Sequence, residues 1–535
     1  MSTGQLNMAP SSGTDASPVN GRRGSVPPIM GRARSLGEST LVMSLRTIVT
    51  MCISLYSARI VLAELGAVDY GVYFAVAGVT LLVSFLNSAL ATSTQRFLSV
   101  ELAEPDNTRL RSVFSASLQI HAVIALLTLV AAETLGLWFV KTHMVFPAGR
   151  LDAALLAFHF AVLSTVITIL QVPYNATMVA YQRFSAYAAF DIAFAVLRLM
   201  VALLLIVSDG DRLKTFAGLM FTVTFLAAAA KVIYCTRAYS SCRYRLCWDG
   251  SLLRGMSGFA GWSLLGAAAQ VLNIQGIGII LNLFFGPLAN AAQNIALQLS
   301  NATSTLAANL QIASGPQIIM AHAAGDTARF HALVERSARF SFLLMLVLMA
   351  PMIVGIDAVL DIWLKTAPTD ASGIARLLLV TALINSVSFP LMAAAQATGT
   401  IRTYQSLVGG LMLSAIPLAY LTLSMGGGVL AVFYLLLILS VLSLGVRLFI
   451  LRGLVGLNVG CFLRVVVLPS LGIAALVLAF GALLRVCLPD TILGELAALV
   501  LTGFATLLAV CFLGISASER MEVWQGIVRR VGASS

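Results

Sequence analysis

The sequence predicts an all-α polytopic membrane protein built as two lobes, with about fourteen transmembrane helices and both termini cytoplasmic. Three observations predict it. The 535 residues are 59% hydrophobic and only 10% charged, with a mean hydropathy of +0.94. A soluble chain of this length does not cover its surface with so few charges. Apolar stretches of the roughly 20 residues needed to cross a bilayer recur along almost the whole chain. The Lys and Arg residues, finally, divide unevenly between alternating loops, as topology signals do.

In order, the spans are expected at residues 40–64, 71–98, 113–137, 152–176, 185–207, 214–236, 257–284, 287–315, 340–360, 374–396, 403–424, 428–451, 461–486 and 492–514. Residues 1–38 precede them, rich in Ser, Gly, Pro and Arg and without an apolar run. They lack the apolar region of a cleavable signal peptide and read as a disordered cytoplasmic tail held inside by Arg22, Arg23, Arg32 and Arg34. With the N-terminus inside, cytoplasmic segments hold 23 of the 33 Lys and Arg residues and outer segments seven. Arg46, Arg59 and Arg198 lie within spans. The net charge of +11 is thus dispersed through short loops. That pattern sets topology and forms no nucleic-acid groove. The seven cysteines are scattered; Cys242 and Cys247 are close but have no matching His/Cys pair, so no metal site is expected, and no cofactor.

An internal repeat organises the spans. A shift of 220 residues lays LGAVDYG (65–71) on FGPLANA (285–291), and DNTRLRSVFSASL (106–118) on DTARFHALVERSA (326–338). A shift of 217 lays VPYNATMVAYQRFSAYA (172–188) on FPLMAAAQATGTIRTYQ (389–405), matching Pro173 to Pro390 and Tyr187 to Tyr404. Two six-helix lobes of the same topology follow, related by an axis along the membrane normal. The expected division is 39–237 for the first lobe, 238–256 for a cytoplasmic connection and 257–455 for the second lobe. Accessory helices 13 and 14 occupy 456–516, and a cytoplasmic tail 517–535. Transporters built this way bind at the lobe interface and rock the lobes for alternating access.

The stretch from Gln270 to Pro316 is the most polar part of the membrane-spanning sequence. Two spans meet at a tight turn, Phe285 to Asn290. Gln270, Asn273, Gln275 and Asn282 precede it; Asn290, Gln293, Asn294, Gln298, Asn301, Asn309 and Gln311 follow. Asn290, Asn294, Gln298, Asn301 and Thr305 recur every three or four residues, one face of a helix. Interhelical amides often glue helices for roughly 0.5–2 kcal/mol each. A stripe along the full depth of a helix also suits a solute pathway, and the density of amides favours that reading.

At this point a family resemblance enters. The segment 65–103, LGAVDYGVYFAVAGVTLLVSFLNSALATSTQRFLSVELA, resembles the second-helix signature of polysaccharide flippases in the MOP exporter superfamily. FFGPLANAAQNIALQ (284–298), SGPQI (314–318) and PLMAAAQATGTIRTYQ (390–405) resemble the same family, so the likeness covers roughly residues 40–455. One departure lies in the loop between spans four and five, where Gln182 stands beside Arg183 in place of the Glu expected there. The resemblance implies a MATE-like fold in a bacterial inner membrane. The implied substrate is an oligosaccharide on an undecaprenyl pyrophosphate carrier, moved from the inner to the outer leaflet. Membrane lipids, a proton or sodium ion, a polysaccharide polymerase and glycosyltransferases are the implied partners.

A lipid-linked pyrophosphate needs cations in a wet cavity, and the planar fork of Arg matches phosphate oxygens bidentately. Arg46 is near the cytoplasmic end of the first span and is expected to reach the membrane surface. Arg59 and Arg198 lie about 9 and about 14 Å below the outer boundary, so both are candidate phosphate ligands. Asp191 precedes Arg198 by seven residues on one helix face and is expected either to balance a buried charge or to couple transport to an ion. Glu133, near the outer end of the third span, reads as an interfacial acid and is the second coupling candidate. His121 reads as structural and Lys231 as a topology signal. The expected substrate contacts are therefore Arg59, Arg198, Gln270, Asn273, Asn290, Asn294, Gln298 and Asn301. The first lobe would grip pyrophosphate and the second would hydrogen-bond sugar hydroxyls. Helices 13 and 14, almost purely aliphatic, either line a groove for the polyprenyl tail or pack as spacers.

Two transport functions compete. A cation-drug antiporter of the same fold wants carboxylates and aromatics in its cavity, whereas here arginines outnumber deep acids. A peptidoglycan-precursor flippase differs only in headgroup. A membrane glycosyltransferase would need a sizeable aqueous domain or catalytic loop, and no acid pair, nucleophile constellation or phosphate-binding Gly loop is present. An enzyme is not expected.

Overall fold

The computed structural model describes residues 36–81, 107–181, 183–244, 271–311, 314–364, 366–398, 401–489 and 491–515, with isolated positions between 91 and 102 and at 250, 252 and 520. Gln182, Cys247, Gln270 and nearly all of both predicted tails lie outside the described residues. Those residues form helices and no strand. They are α1 (Leu36–Leu81), α2 (Arg109–Thr142), α3 (Leu151–Ala180), α4 (Phe184–Ile206) and α5 (Arg212–Ala238). The polar hairpin is α6 (Val271–Phe285) and α7 (Pro287–Gln311), followed by a short α8 (Ser314–Ala323). Then come α9 (Thr327–Val354), the short α10 (Ile356–Trp363), α11 (Ala371–Ala397), α12 (Thr403–Ser424), α13 (Val429–Val455), α14 (Val459–Cys487) and α15 (Ile492–Gly514).

Eleven helices among the described residues are long and apolar enough to cross a membrane. The chain is a multi-pass membrane protein. Helix α7 is not among the eleven: its amides lower its hydropathy, although it was predicted as a span. Helix α9 begins well before the predicted apolar stretch at 340, because its first turns carry Arg329, Glu335, Arg336 and Arg339 and an apolar window overlooks them. Helix α1 runs through the first predicted span into the second, bent at Gly66, whose φ of 72° is open to glycine at little cost. Its partner in the repeat, Gly286, has the same φ of 72° and separates α6 from α7. Pro287 then opens α7, where a missing N–H costs nothing. Asp211 caps α5 by accepting from the Leu213 and Lys214 N–H groups, and Asp326 caps α9 through Arg329 N–H.

Helices α1 to α5 pack on one another, as do α7, α9, α11 and α13, and α1 meets α7 along a seam between the two groups. The seam is tight because Gly71 has no side chain: a Cβ there would lie 1.8 Å from the Pro287 carbonyl oxygen. Helices α14 and α15 pack on each other and on α9. Asp357 of α10 ties them in, accepting from Arg485 of α14 (2.8 Å) and from Arg376 of α11, while Arg485 also donates to Glu495 of α15 (3.0 Å). Burial pushes the Asp357 carboxyl upward, but the two guanidinium groups outweigh it and hold it below the usual carboxylate range. The outward faces of α2, α12, α14 and α15 expose large aliphatic side chains such as Leu127, Leu421, Leu483 and Leu493, which in a membrane face lipid.

Candidate functional site

Inside the first group of helices, three charges meet around one tyrosine. Asp191 of α4 accepts from Arg46 of α1 (2.9 Å) and from Lys231 of α5 (3.4 Å). Lys231 also donates to Asn175 Oδ1 of α3 (3.3 Å). The Tyr187 ring lies 5.5 Å from the Arg46 guanidinium and 5.6 Å from the Lys231 ammonium. Arg46 is engaged by Asp191. One expectation is corrected here: Lys231, only 7% exposed and paired with Asp191, is more than a topology signal. Nor is Asp191 paired with Arg198. Seven residues along a helix is a rise of about 10 Å, too long for a direct contact, and cations on neighbouring helices are nearer. The repeat did mark this cluster. Tyr404 of α12, the counterpart of Tyr187, carries Arg447 of α13 at 5.4 Å and accepts a hydrogen bond from it. Each half of the chain therefore builds a tyrosine–cation pair between equivalent helices. Among the described residues the first adds an acid, whereas Val408 stands where the 217-residue shift places Asp191.

The other two arginines stand apart from this cluster. Arg198 is exposed, its guanidinium 5.9 Å from the Phe194 ring. Arg59 is half-buried and makes no hydrogen bond or ion pair with the described residues. It lies one helical turn after Leu55, whose carbonyl accepts from Trp363 Nε1 of α10 at 2.7 Å. Sequence reasoning did not single out Trp363, and nothing local marks it.

At the end that loop charge assigns to the outside, the two groups of helices are closed on each other. Gln298 of α7 donates to the Tyr70 hydroxyl (2.7 Å), and Val145 N–H donates to Asn282 Oδ1 of α6 (3.1 Å). Below the Gly66 bend, Asp69 and Asp211 both accept from Arg150, at 2.8 and 3.2 Å, and Arg212 pairs with Glu64 at 3.2 Å. The carboxylate of Asp69 first, then that of Asp211, hold Arg150 charged beyond its ordinary range.

The predicted amide face divides by partner. Asn290, 2% exposed, donates to the Gly278 carbonyl of α6 (2.8 Å), which is helix-to-helix glue. Asn294 donates to the Asn290 carbonyl (2.9 Å), and Asn273 to the Met412 carbonyl of α12 (3.0 Å). Gln298 belongs to the closure just described, whereas Asn301 is exposed. Gln293, outside the predicted stripe, is buried beside Asn290. Helical periodicity assigns a face to each amide; it does not say whether that face meets a helix or water.

The remaining candidates lie elsewhere. Glu133 sits in a π-helical turn, Ala132–Gly136, and accepts from or shares a proton with His159 of α3 at 2.9 Å. His121 is fully buried with Nδ1 2.8 Å from the Ser117 carbonyl, a local helix contact.

No family model and no curated protein matches this sequence. Solved structures do. One is a lipid II flippase, MurJ, in an inward closed conformation, with a TM-score of 0.65 and 11% identity over 88% of this chain and 98% of that one. Another is a multidrug resistance MATE family transporter of the MOP superfamily in an inward-facing conformation, with a TM-score of 0.64 and 13% identity over 77% and 98%. A third is a MOP superfamily transporter from Pyrococcus furiosus, described as having a binding pocket of reverse polarity. Its TM-score is 0.56, at 12% identity over 78% and 96%. The chain has the fold of these transporters and flippases.

Proposed function

We propose that this protein is a MOP-superfamily flippase that moves an undecaprenyl-pyrophosphate-linked oligosaccharide from the cytoplasmic to the outer leaflet of the bacterial inner membrane. The carrying observation is the charge balance in α1 to α5. Arg46 and Lys231 already neutralise Asp191, and Glu133 is engaged by His159, so neither acid stands free to bind a cationic drug. Arg198 and Arg59 have no carboxylate partner among the described residues. The surplus inside the membrane is positive, which suits a doubly anionic diphosphate.

In this reading Arg59 and Arg198 form a two-pronged clamp for the pyrophosphate. The exposed Asn301, with Asn273 and the outside-described Gln270, meets sugar hydroxyls. The lobes are 39–237 and 257–455, alternating about the α1–α7 seam, and the exposed aliphatic faces of α14 and α15 accommodate the polyprenyl tail. Asp191, engaged by Arg46 and Lys231, and Glu133, engaged by His159, are the acids through which a proton would couple to transport. A second reading, a peptidoglycan-precursor flippase, shares the pyrophosphate chemistry. It is favoured by the likeness to a lipid II flippase, which extends over more of this chain than the MATE likeness does.

The test is export of surface polysaccharide together with membrane abundance for variants of Arg59 and Arg198. Arg→Ala at either position should abolish export with the protein still present. Arg→Lys keeps the charge but loses the planar fork, and should also impair export. Normal export by both Arg→Ala variants would refute the clamp. Rescue by an intact export assay using peptidoglycan precursor instead would select the second reading.

A further inference from the structure

Trp363 is the last residue of α10, a helix of eight residues anchored in the second group of helices. Ile356, Ala358 and Leu360 bury one side of it, and it packs on α9, α11 and α15. Asp357, near its start, is held by Arg376 and Arg485. From that fixed base the half-buried indole crosses to the first group. Its Nε1–H donates to the Leu55 carbonyl of α1 at 2.7 Å. An indole N–H withdrawn from water takes an acceptor, and here the acceptor is the backbone of the other group.

Residues 36–81 keep helical dihedrals except at Gly66, so the Leu55 carbonyl also accepts the Arg59 N–H, four residues on. A carbonyl oxygen has two lone pairs, and the second goes to Trp363. The bond therefore lands on the turn of α1 that carries the Arg59 guanidinium. Cys52, Leu55, Tyr56 and Arg59 recur at helical spacing and share one face. Cys52 and Tyr56 are exposed on it. Arg59 is half-buried, and its side chain has no hydrogen bond or ion pair with the described residues. What fixes this guanidinium is the backbone turn it projects from.

We propose that Trp363 is a positioning residue for Arg59. Its indole N–H holds the Arg59-bearing turn of α1 against the second lobe and so sets the level at which the guanidinium meets a diphosphate. The bond crosses between the lobes, so it lasts while α10 rests on α1. Arg59 is thus set for the headgroup in the closed arrangement and loses that setting when the outer side opens. When the bond breaks, the Leu55 carbonyl keeps the Arg59 N–H, and no backbone acceptor is stranded. The diphosphate role of Arg59 rests on the clamp reading above; the tie between Trp363 and its turn does not.

Two substitutions separate the hydrogen bond from packing. Trp363→Phe keeps an aromatic ring and loses the donor. Trp363→His is smaller, but imidazole Nε2 takes the ring position that Nε1 holds in indole and keeps the donor. The experiment measures equilibrium binding of radiolabelled geranyl diphosphate, a prenyl diphosphate short enough to stay in water. It uses the purified full-length protein in lipid nanodiscs at about pH 8, where an ordinary histidine is neutral. The native protein should bind saturably, and Arg59→Ala about tenfold more weakly or worse, as expected for a lost charge-assisted hydrogen bond. Trp363→Phe should weaken binding about two- to tenfold, the range for one neutral hydrogen bond. Trp363→His should bind more tightly than Trp363→Phe. Added to Arg59→Ala, Trp363→Phe should cost nothing further, because the two act as a unit. Native affinity in Trp363→Phe, an equal loss with and without Arg59, or weaker binding by Trp363→His than by Trp363→Phe overturns the inference and makes Trp363 a packing residue. With Arg59→Ala still weakened, any of those results leaves the clamp standing. Native affinity in Arg59→Ala, or no binding by the native protein, strikes the clamp and this inference together.

Discussion

Asp191 is held by two cations from two different helices, and its removal is not equivalent to removing either of them. Asp191→Ala leaves Arg46 and Lys231 facing each other across Tyr187 without a counter-ion. Arg46→Ala leaves the Asp191–Lys231 pair intact. Each partly buried polar group stripped of its partner costs about 1–3 kcal/mol, and more if charged. Membrane abundance should therefore fall clearly for Asp191→Ala and little for Arg46→Ala, with Asp191→Ala/Arg46→Ala recovering part of the loss. Quantitative blotting of the three variants checks this; equal abundance in all three would show that the ion pairs carry no stability. This cluster also shows what a sequence reveals at the residue scale. That Asp191 lies within the membrane was legible, and so was the Tyr187–Tyr404 match. Its partners were not, because Arg46 is 145 positions away and spacing along one helix says nothing about its neighbour.

Among the elements, the α1–α7 seam sets how the two halves meet, and it depends on Gly71. A methyl group there would meet the Pro287 carbonyl at 1.8 Å, so backbone must move. Overpacking of this kind costs about 1–3 kcal/mol. Gly71→Ala should therefore weaken the closed arrangement. A disulfide trap formed by Val145→Cys and Asn282→Cys in a cysteine-free protein reads it, since these positions touch in the closed state. Cross-linking should be efficient with Gly71 and markedly reduced in Gly71→Ala; equal cross-linking would show that the seam tolerates the methyl group. The turn itself was legible beforehand. LGAVDYG and FGPLANA align in the repeat, and Gly66 and Gly286 share a φ of 72°. The amides of α7 were legible as a stripe, but the stripe faces three environments in succession: helix α6, Tyr70 across the seam, and open space at Asn301. Hydropathy alone excluded α7 from the apolar helices for the same reason it stood out as functional.

For the whole molecule, composition and alternating loop charge foretold an all-helical, multi-pass chain, and the fold is that of known flippases and transporters. What moves through it depends on charge distribution more than on fold, since lipid flippases and drug antiporters share the architecture. On the proposed reading, the excess of cations among the described residues of α1 to α5 and the engagement of Asp191 and Glu133 suit an anionic cargo. The most direct measurement uses the purified protein in proteoliposomes that carry a fluorescent undecaprenyl-pyrophosphate oligosaccharide. Loss of the sugar to an added, impermeant glycosidase reports its appearance on the far leaflet. The account predicts transfer with the native protein, and near-background transfer with Arg59→Ala or Arg198→Ala present at equal density. Background transfer by the native protein, with uptake of a cationic drug by the same vesicles, would contradict it.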